Sequence, residues 1–414
     1  MTGTLVAQLV SYLMYPLITR IYSTVEMGEL GLYMRWVAFI AAIATARYEV
    51  ALPMPKRDHH AYLLYRLALR ISYIVIAAST LFAAVYFIVT PTKLSVFLIL
   101  LLAVLSAYLT VWMNLGIHWS IRNKKFKSIS SQRIINSLSV NSLRWIFGIF
   151  GFGTIGLIVA TVIGTFLSIL VFIRDFLRFK PSHQAFANKK KMLVVAREYK
   201  DFPAINLPQI LMDLGVDLAI AGLIVVYFDK GIFGSYSHAF LMLKLPLSVI
   251  GQSFGQVFFN RCTEMLNRGE SIYMEVLRMA KVLLLIAIVP FTILFFFGEP
   301  IFGFVFGKQW FESGRFAEIL APYLMINFVV SPLSILPIIL KRQKEAFFIA
   351  LVFGLIRLIN FGLLPLILAG ETILGGNVKL ETSFEEIIII DTIVMSIGLI
   401  VVFFLYLRYA ARWK

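Results

Sequence analysis

The chain has 414 residues, 60% of them hydrophobic and 14% charged, with a formal net charge of +16. Soluble domains carry about 25% charged and at most about 50% apolar residues, so this composition excludes a water-soluble globular protein. The single cysteine, Cys262, excludes a disulfide framework and a thiolate metal site.

The apolar residues fall in continuous runs of about twenty, the length that crosses hydrocarbon as a helix. They lack the alternation of a barrel strand, and inside lipid only helices or closed barrels satisfy the backbone. In chain order, twelve spans are predicted at roughly 3–19, 28–51, 62–89, 94–117, 132–150, 153–174, 203–227, 231–258, 272–297, 315–340, 344–369 and 387–407. Turn and breaker residues separate them: Pro91, Gly151 and Gly153, Pro181, Pro203, Gly298 with Pro300, and Gly375 with Gly376. The N-terminus lacks the basic segment and cleavage site of a signal peptide. The chain opens almost inside an apolar segment, Thr4 to Ile18, so a native start upstream of Met1 is expected.

The basic residues sit mainly in short loops, a pattern that reads as membrane topology and not as a nucleic-acid partner. One set of loops holds Lys56 and Arg57; Arg122, Lys124, Lys125 and Lys127; Lys189, Lys190, Lys191 and Arg197; Arg261 and Arg268; Lys341, Arg342 and Lys344; and the tail Arg408, Arg412 and Lys414. The other holds little beyond Arg20, Lys93, Lys230, Lys308, Arg315 and Lys379. The positive-inside rule puts the first set and both termini in the cytoplasm.

The long linker around 178–200 divides the chain into a first lobe, 1–199, and a second, 200–414, with six spans each. Glu26, Gly28, Gly31 and Tyr33 at the start of span two match Asp229, Gly231, Gly234 and Tyr236 at the start of span eight, at one constant offset. A parallel repeat of six helices is a transporter signature, with the substrate site between the repeats. The predicted fold is therefore an all-α integral membrane protein of about twelve helices in two lobes around a central cavity.

Charged side chains at membrane depth are costly and by default functional. Arg35, Arg144, Asp213, Asp217, Lys244 and Arg357 lie deep in the predicted spans. Asn206, Gln209, Asp213 and Asp217 share one helical face, as do Ser137, Asn141 and Arg144, and Lys244, Ser248, Gln252 and Gln256. Asn327, Ser331 and Ser334 form another stripe, and Arg357 pairs with Asn360. Such stripes imply a shared polar lumen, although Asn136, Ser331 and Ser334 read better as hydrogen-bonding glue between helices. A lumen of Arg35, Arg144, Lys244 and Arg357 suits an anion such as phosphate or pyrophosphate, which guanidinium binds through paired donors. Arg144 and Arg357 are the stronger candidates, because few acidic partners are in view. Asp213 and Asp217, one turn apart, are candidates for proton or sodium coupling; one of them paired with Lys244 as a structural ion pair is an equal reading.

The stretch Pro16-Leu-Ile-Thr-Arg20-Ile-Tyr22-Ser23, followed by Glu26-Met-Gly28-Glu-Leu-Gly31, resembles the first helix–loop–helix of polysaccharide repeat-unit flippases. These belong to the multidrug/oligosaccharidyl-lipid/polysaccharide exporter superfamily. Arg47-Tyr48-Glu49 resembles the family's next motif, and Gly3 to Gln8 is also similar. The motifs cover the first sixty residues or so; beyond them the likeness is one of architecture. The resemblance implies two six-helix lobes forming a V-shaped cavity in a bacterial inner membrane. It implies a substrate of sugars linked by pyrophosphate to a polyprenyl carrier and moved to the outer leaflet. Arg47 and Glu49 occupy motif positions, and Arg20 lies in the first motif. All three also sit near span ends, where snorkelling or mutual pairing would explain them as well.

The resemblance implies transport, with no cofactor and no covalent chemistry. Lipid surrounds the chain, and a glycan polymerase is an expected partner. The rivals are an ion-coupled drug antiporter of the same superfamily, which would favour an acidic lumen, and a membrane-embedded glycan polymerase or acyltransferase. The short external loops leave little room for such an enzyme, and His59 with His60 forms no catalytic or metal motif.

Overall fold

The structure is a computed structural model that describes residues 2–90, 93–183, 189–368 and 384–412. The turn markers Pro91, Gly375 and Gly376, together with Met1, Lys379 and Lys414, lie outside the described residues.

The described chain is helical throughout, in the order α1 (Thr2–Thr19), α2 (Thr24–Ala44), α3 (Tyr48–Ala51), α4 (Asp58–Val89), α5 (Leu94–Arg122), α6 (Phe126–Ile149), α7 (Gly153–His183), α8 (Lys189–Glu198), α9 (Leu207–Tyr227), α10 (Lys230–Asn267), α11 (Tyr273–Phe306), α12 (Phe311–Val330), α13 (Leu336–Ile339), α14 (Gln343–Gly362), α15 (Leu364–Leu368) and α16 (Phe384–Arg412). Among the described residues, nine stretches are long and apolar enough to cross a membrane by that criterion alone. The shorter α1, α6 with its polar stripe and the long α10 bring the membrane-length helices to about twelve, one for each predicted span. The outward surface agrees with this reading: Phe304 is 82% exposed and Ile88 80% exposed, and so much apolar surface is tenable only in lipid.

Local chemistry sets the helix starts. Ser23 and Glu26 form a reciprocal capping box that opens α2. Asp229 caps α10 by accepting from the Ile232 amide. The two registers matched in the sequence thus each begin a capped helix, and Tyr33 and Tyr236 are both buried. Gly151 and Gly153 take positive φ, 72° and 55°, in the turn between α6 and α7, as their position predicts.

Gly298 and Pro300 interrupt the ninth span where expected: α11 runs to Phe306 as two helices joined at a kink at Phe297, where φ is −133°. Proline lacks the amide that the turn needs and crowds the carbonyl four residues back. Gly298 admits α12: a Cβ there would lie 2.8 Å from the Gly314 carbonyl oxygen.

The chain's contacts form two compact units, Met1–Leu218 and Ala219–Lys414. In the first, α6 packs on α7 and α1, while α5 packs on α2, α4 and α7. In the second, α12 is central, packed by α10, α11 and α16, around fully buried Phe316 and Trp310. The sequence reading divides the chain at 199–200; the contacts divide it within α9, whose first half carries Asp217, paired with Arg35 of α2.

Candidate functional site

In the first unit, the polar face of α9 meets α2. Asp217 Oδ2 lies 2.9 Å from Arg35 Nε. The ion-pair partner expected at Lys244 is therefore supplied by Arg35. Asp213, one turn earlier, is exposed.

Arg47 sits where the chain leaves α2. Ala46 and Arg47 both adopt positive φ, 47° and 63°, a conformation unfavourable for residues with a Cβ. The surroundings hold it in place. Arg47 Nε donates to Oδ1 of Asn206 at 3.0 Å, and Nη1 donates to Oε1 of Glu49 at 3.3 Å. The Glu49 side chain is 2% exposed. The Tyr48 hydroxyl donates to the Ala196 carbonyl at 3.2 Å. All three residues of the motif thus work together: Arg47 and Tyr48 grip the linker that carries α8 and the π-helical turn Phe202–Asn206, and Glu49 holds Arg47. Arg20 is exposed at the end of α1.

The stripe on α6 separates into two functions. Ser137 donates to the Ala7 carbonyl at 2.7 Å, and Asn141 donates to Ser11 Oγ at 3.2 Å, tying α6 to α1. Gln132 and Asn136 both donate to Ser168 on α7, so Asn136 is the glue its sequence position suggests. Arg144 is different. Its Nη2 donates to Thr161 Oγ1 at 2.8 Å, and its Nε is buried without a hydrogen-bond partner. The phenols of Tyr15 and Tyr22 are its electrostatic neighbours. Among the described residues no carboxylate lies in ion-pair range of it. Its described hydrogen-bond partner is thus a neutral hydroxyl and not a carboxylate.

In the second unit, Arg357 has an acidic partner that the sequence reading did not find. Its Nε lies 3.6 Å from Oδ2 of Asp391, which is 2% exposed. Asn360 donates to the other carboxylate oxygen at 2.9 Å, and Arg357 Nη2 donates to the Tyr236 hydroxyl at 2.6 Å. The guanidinium also faces the rings of Phe240 and Phe361. Asp391 lies inside α16, which begins at Phe384, three residues before the predicted start of the last span. Lys244 is exposed, with its ammonium 5.3 Å from the Phe240 ring centre. The side chains of Ser248 and Gln252, next on that stripe, lie outside the described residues. On the α12 side, Ser334 donates to the Ser331 carbonyl in a short 3-10 turn. Among the described residues, no three His, Cys, Asp or Glu side chains cluster to hold a metal ion.

Comparison with known proteins follows the same lines. The profile of a family described as polysaccharide biosynthesis protein matches residues 17–315. No curated protein sequence matches the chain. Among solved structures, the lipid II flippase MurJ in an inward closed conformation matches with a TM-score of 0.72 at 15% identity, over 99% of this chain and 87% of that one. A multidrug resistance MATE family transporter of the MOP superfamily, inward-facing, matches with a TM-score of 0.67 at 14% identity, over 99% and 98%. An outward-facing structure of such a transporter matches at 0.59 and 14% identity, over 99% and 94%. At these identities the likeness is one of fold.

Proposed function

Because the chain belongs to the family of polysaccharide biosynthesis proteins, we propose that it is a flippase for polyprenyl-pyrophosphate-linked oligosaccharide units. It moves them from the cytoplasmic to the outer leaflet of a bacterial inner membrane, for surface polysaccharide assembly. The observation that carries this reading is Arg144, a deep cation whose hydrogen bonds go to neutral groups. A diphosphate dragged through dry hydrocarbon would lose its hydration at great cost, and a guanidinium with free donors offsets that loss through paired hydrogen bonds. In the second unit, Lys244 is an exposed cation set against an aromatic ring. Arg35 and Arg357 each already face a carboxylate, so they contribute less net charge and position the binding groups. The sugar travels with the headgroup while the polyprenyl tail stays in lipid, by alternating access. Asp213 and Asp217 supply the proton or sodium coupling, and Arg20 acts in gating. No covalent step is required, so the protein is a transporter and not an enzyme.

A second reading, an ion-coupled drug antiporter, draws on the fold shared with multidrug transporters. One experiment separates the two. The gene is deleted in a host that makes a surface polysaccharide, and lipid-linked repeat units are assayed by leaflet. Completed units trapped on the inner leaflet support the flippase. Normal translocation with altered drug tolerance supports the antiporter, and units that cross but never polymerise support an enzyme.

A further inference from the structure

A second cationic feature lies in the second unit, near the connection from α10 to α11. Arg261 is within two helical turns of the end of α10, and Glu275 and Arg278 are within two turns of the start of α11. The Glu275 side chain is 7% exposed, and its two oxygens face Arg261 Nε at 3.0 Å and Arg278 Nη1 at 3.3 Å. One carboxylate is thus shared by two guanidiniums. Both arginine side chains remain more than half exposed, at 52% and 64%, and exposed Lys281 follows one turn later.

These groups rim a cavity of about 340 Å³ whose walls are apolar: Phe254 and Val257 from α10, Met279 and Val282 from α11. The lining residues recur at helical spacing on both elements. The two helices are not among the closely packed pairs, so a groove is left between them, open to their surroundings. Exposed apolar walls beside a charged helix end match the polarity of a membrane interface. Two arginines and one carboxylate leave an excess positive charge at one end of an apolar groove.

We propose that this groove is a binding site for an anionic phospholipid of the surrounding membrane. The phosphodiester headgroup is held by Arg261 and Arg278, and the acyl chain lies against Val257, Phe254, Met279 and Val282. Glu275 is a positioning residue: it fixes Arg261 by Nε and Arg278 by Nη1 and leaves their remaining donors for a phosphate oxygen. The cavity volume is at the lower end of the range for small-molecule sites, about 300–1,000 Å³, and suits a headgroup with the first part of one chain. The site is distinct from Arg144 and does not depend on what the protein transports.

The test is native mass spectrometry of the full chain in detergent with equimolar dioleoyl phosphatidylglycerol and dioleoyl phosphatidylcholine. The wild type should retain the phosphatidylglycerol preferentially. Arg261→Gln, Glu275→Gln and Arg278→Gln are combined, so that no buried carboxylate is left unpaired. This variant should lose the preference by at least about fivefold, the effect of one net cation at a membrane surface. Val257→Trp keeps every charge but fills the groove, and should reduce phosphatidylglycerol retention as well. If the triple variant does not accumulate, Arg278→Gln alone carries the charge test. Unchanged preference in the charge variant overturns the proposal, as does full retention in Val257→Trp. Inorganic phosphate that protects the wild type against heat as well as phosphatidylglycerol does would reveal a free-anion site and equally overturn it.

Discussion

Arg357 and Asp391 offer a direct measurement of how a deep ion pair behaves in this chain. Asp391 is 2% exposed and Arg357 19% exposed, so both are shielded from solvent screening. Arg357→Leu leaves the carboxylate buried with a hydrogen bond from Asn360. Removing one partner of a buried pair costs about 3–5 kcal/mol. Asp391→Leu is milder, at about 1–3 kcal/mol, because the guanidinium keeps Tyr236 and its aromatic neighbours. Replacing both residues by leucine removes both charges and leaves the Asn360 amide without its acceptor, a cost of about 1–2 kcal/mol. The double variant should therefore be more stable than Arg357→Leu alone, with a coupling energy of about 2 kcal/mol or more. The assay is unfolding of the purified proteins in mixed micelles at rising SDS fraction, across all four members of the cycle. Single-variant losses that simply add, to within about 0.5 kcal/mol, would refute the pair as an energetic unit. The same four proteins test transport. If Arg357 binds substrate through its charge, the stable double variant is inactive; if its role is to neutralise Asp391, the double variant transports.

Three further outcomes are expected. Arg144→Ala should abolish translocation of lipid-linked units while the protein remains in the membrane, and Arg144→Lys should cut the rate about 10–100-fold, the worth of a charged hydrogen bond; full surface glycan in both would remove Arg144 from the substrate path. Arg47→Ala and Asn206→Ala should each expose the linker, raising the proteolysis rate within 189–206 about tenfold for a lost hydrogen bond of about 1–1.5 kcal/mol, and the double variant should add nothing further. Gly164→Ala should destabilise by about 1–3 kcal/mol, because its Cβ would lie 2.5 Å from Val140 Cγ2 and 2.7 Å from the Val140 amide nitrogen. Gly222→Ala meets nothing within 4 Å and should be neutral or stabilising by up to about 1 kcal/mol, which makes it the matched control in the same melting experiment.

The division between what was legible and what was not follows the range of each interaction. Asp229 and the Ser23–Glu26 box announce helix starts because a cap acts over three residues. Gly151 and Gly153 announce a turn because φ is a property of a single residue. Gly298 and Pro300 announce the break at Phe297 for the same reason, since a missing amide acts on its own turn. That Gly298 also admits α12 is decided by contact in space.

The same contrast governs the charges. Arg35, Arg144, Lys244 and Arg357 were recognisable from depth alone, since hydrocarbon penalises any ion whatever surrounds it. Their partners were not. Asp217 reached Arg35 from 182 residues away along the chain, Arg47 found Asn206 159 residues on, and Arg357 found Asp391 on a different helix. Hydropathy is a sum over neighbours in the chain, so twelve membrane helices and a family likeness could be written down from the order of residues. Which of these cations faces a carboxylate and which, like Arg144, donates to a neutral hydroxyl is a question of neighbours in space, and only the packing of the helices answers it.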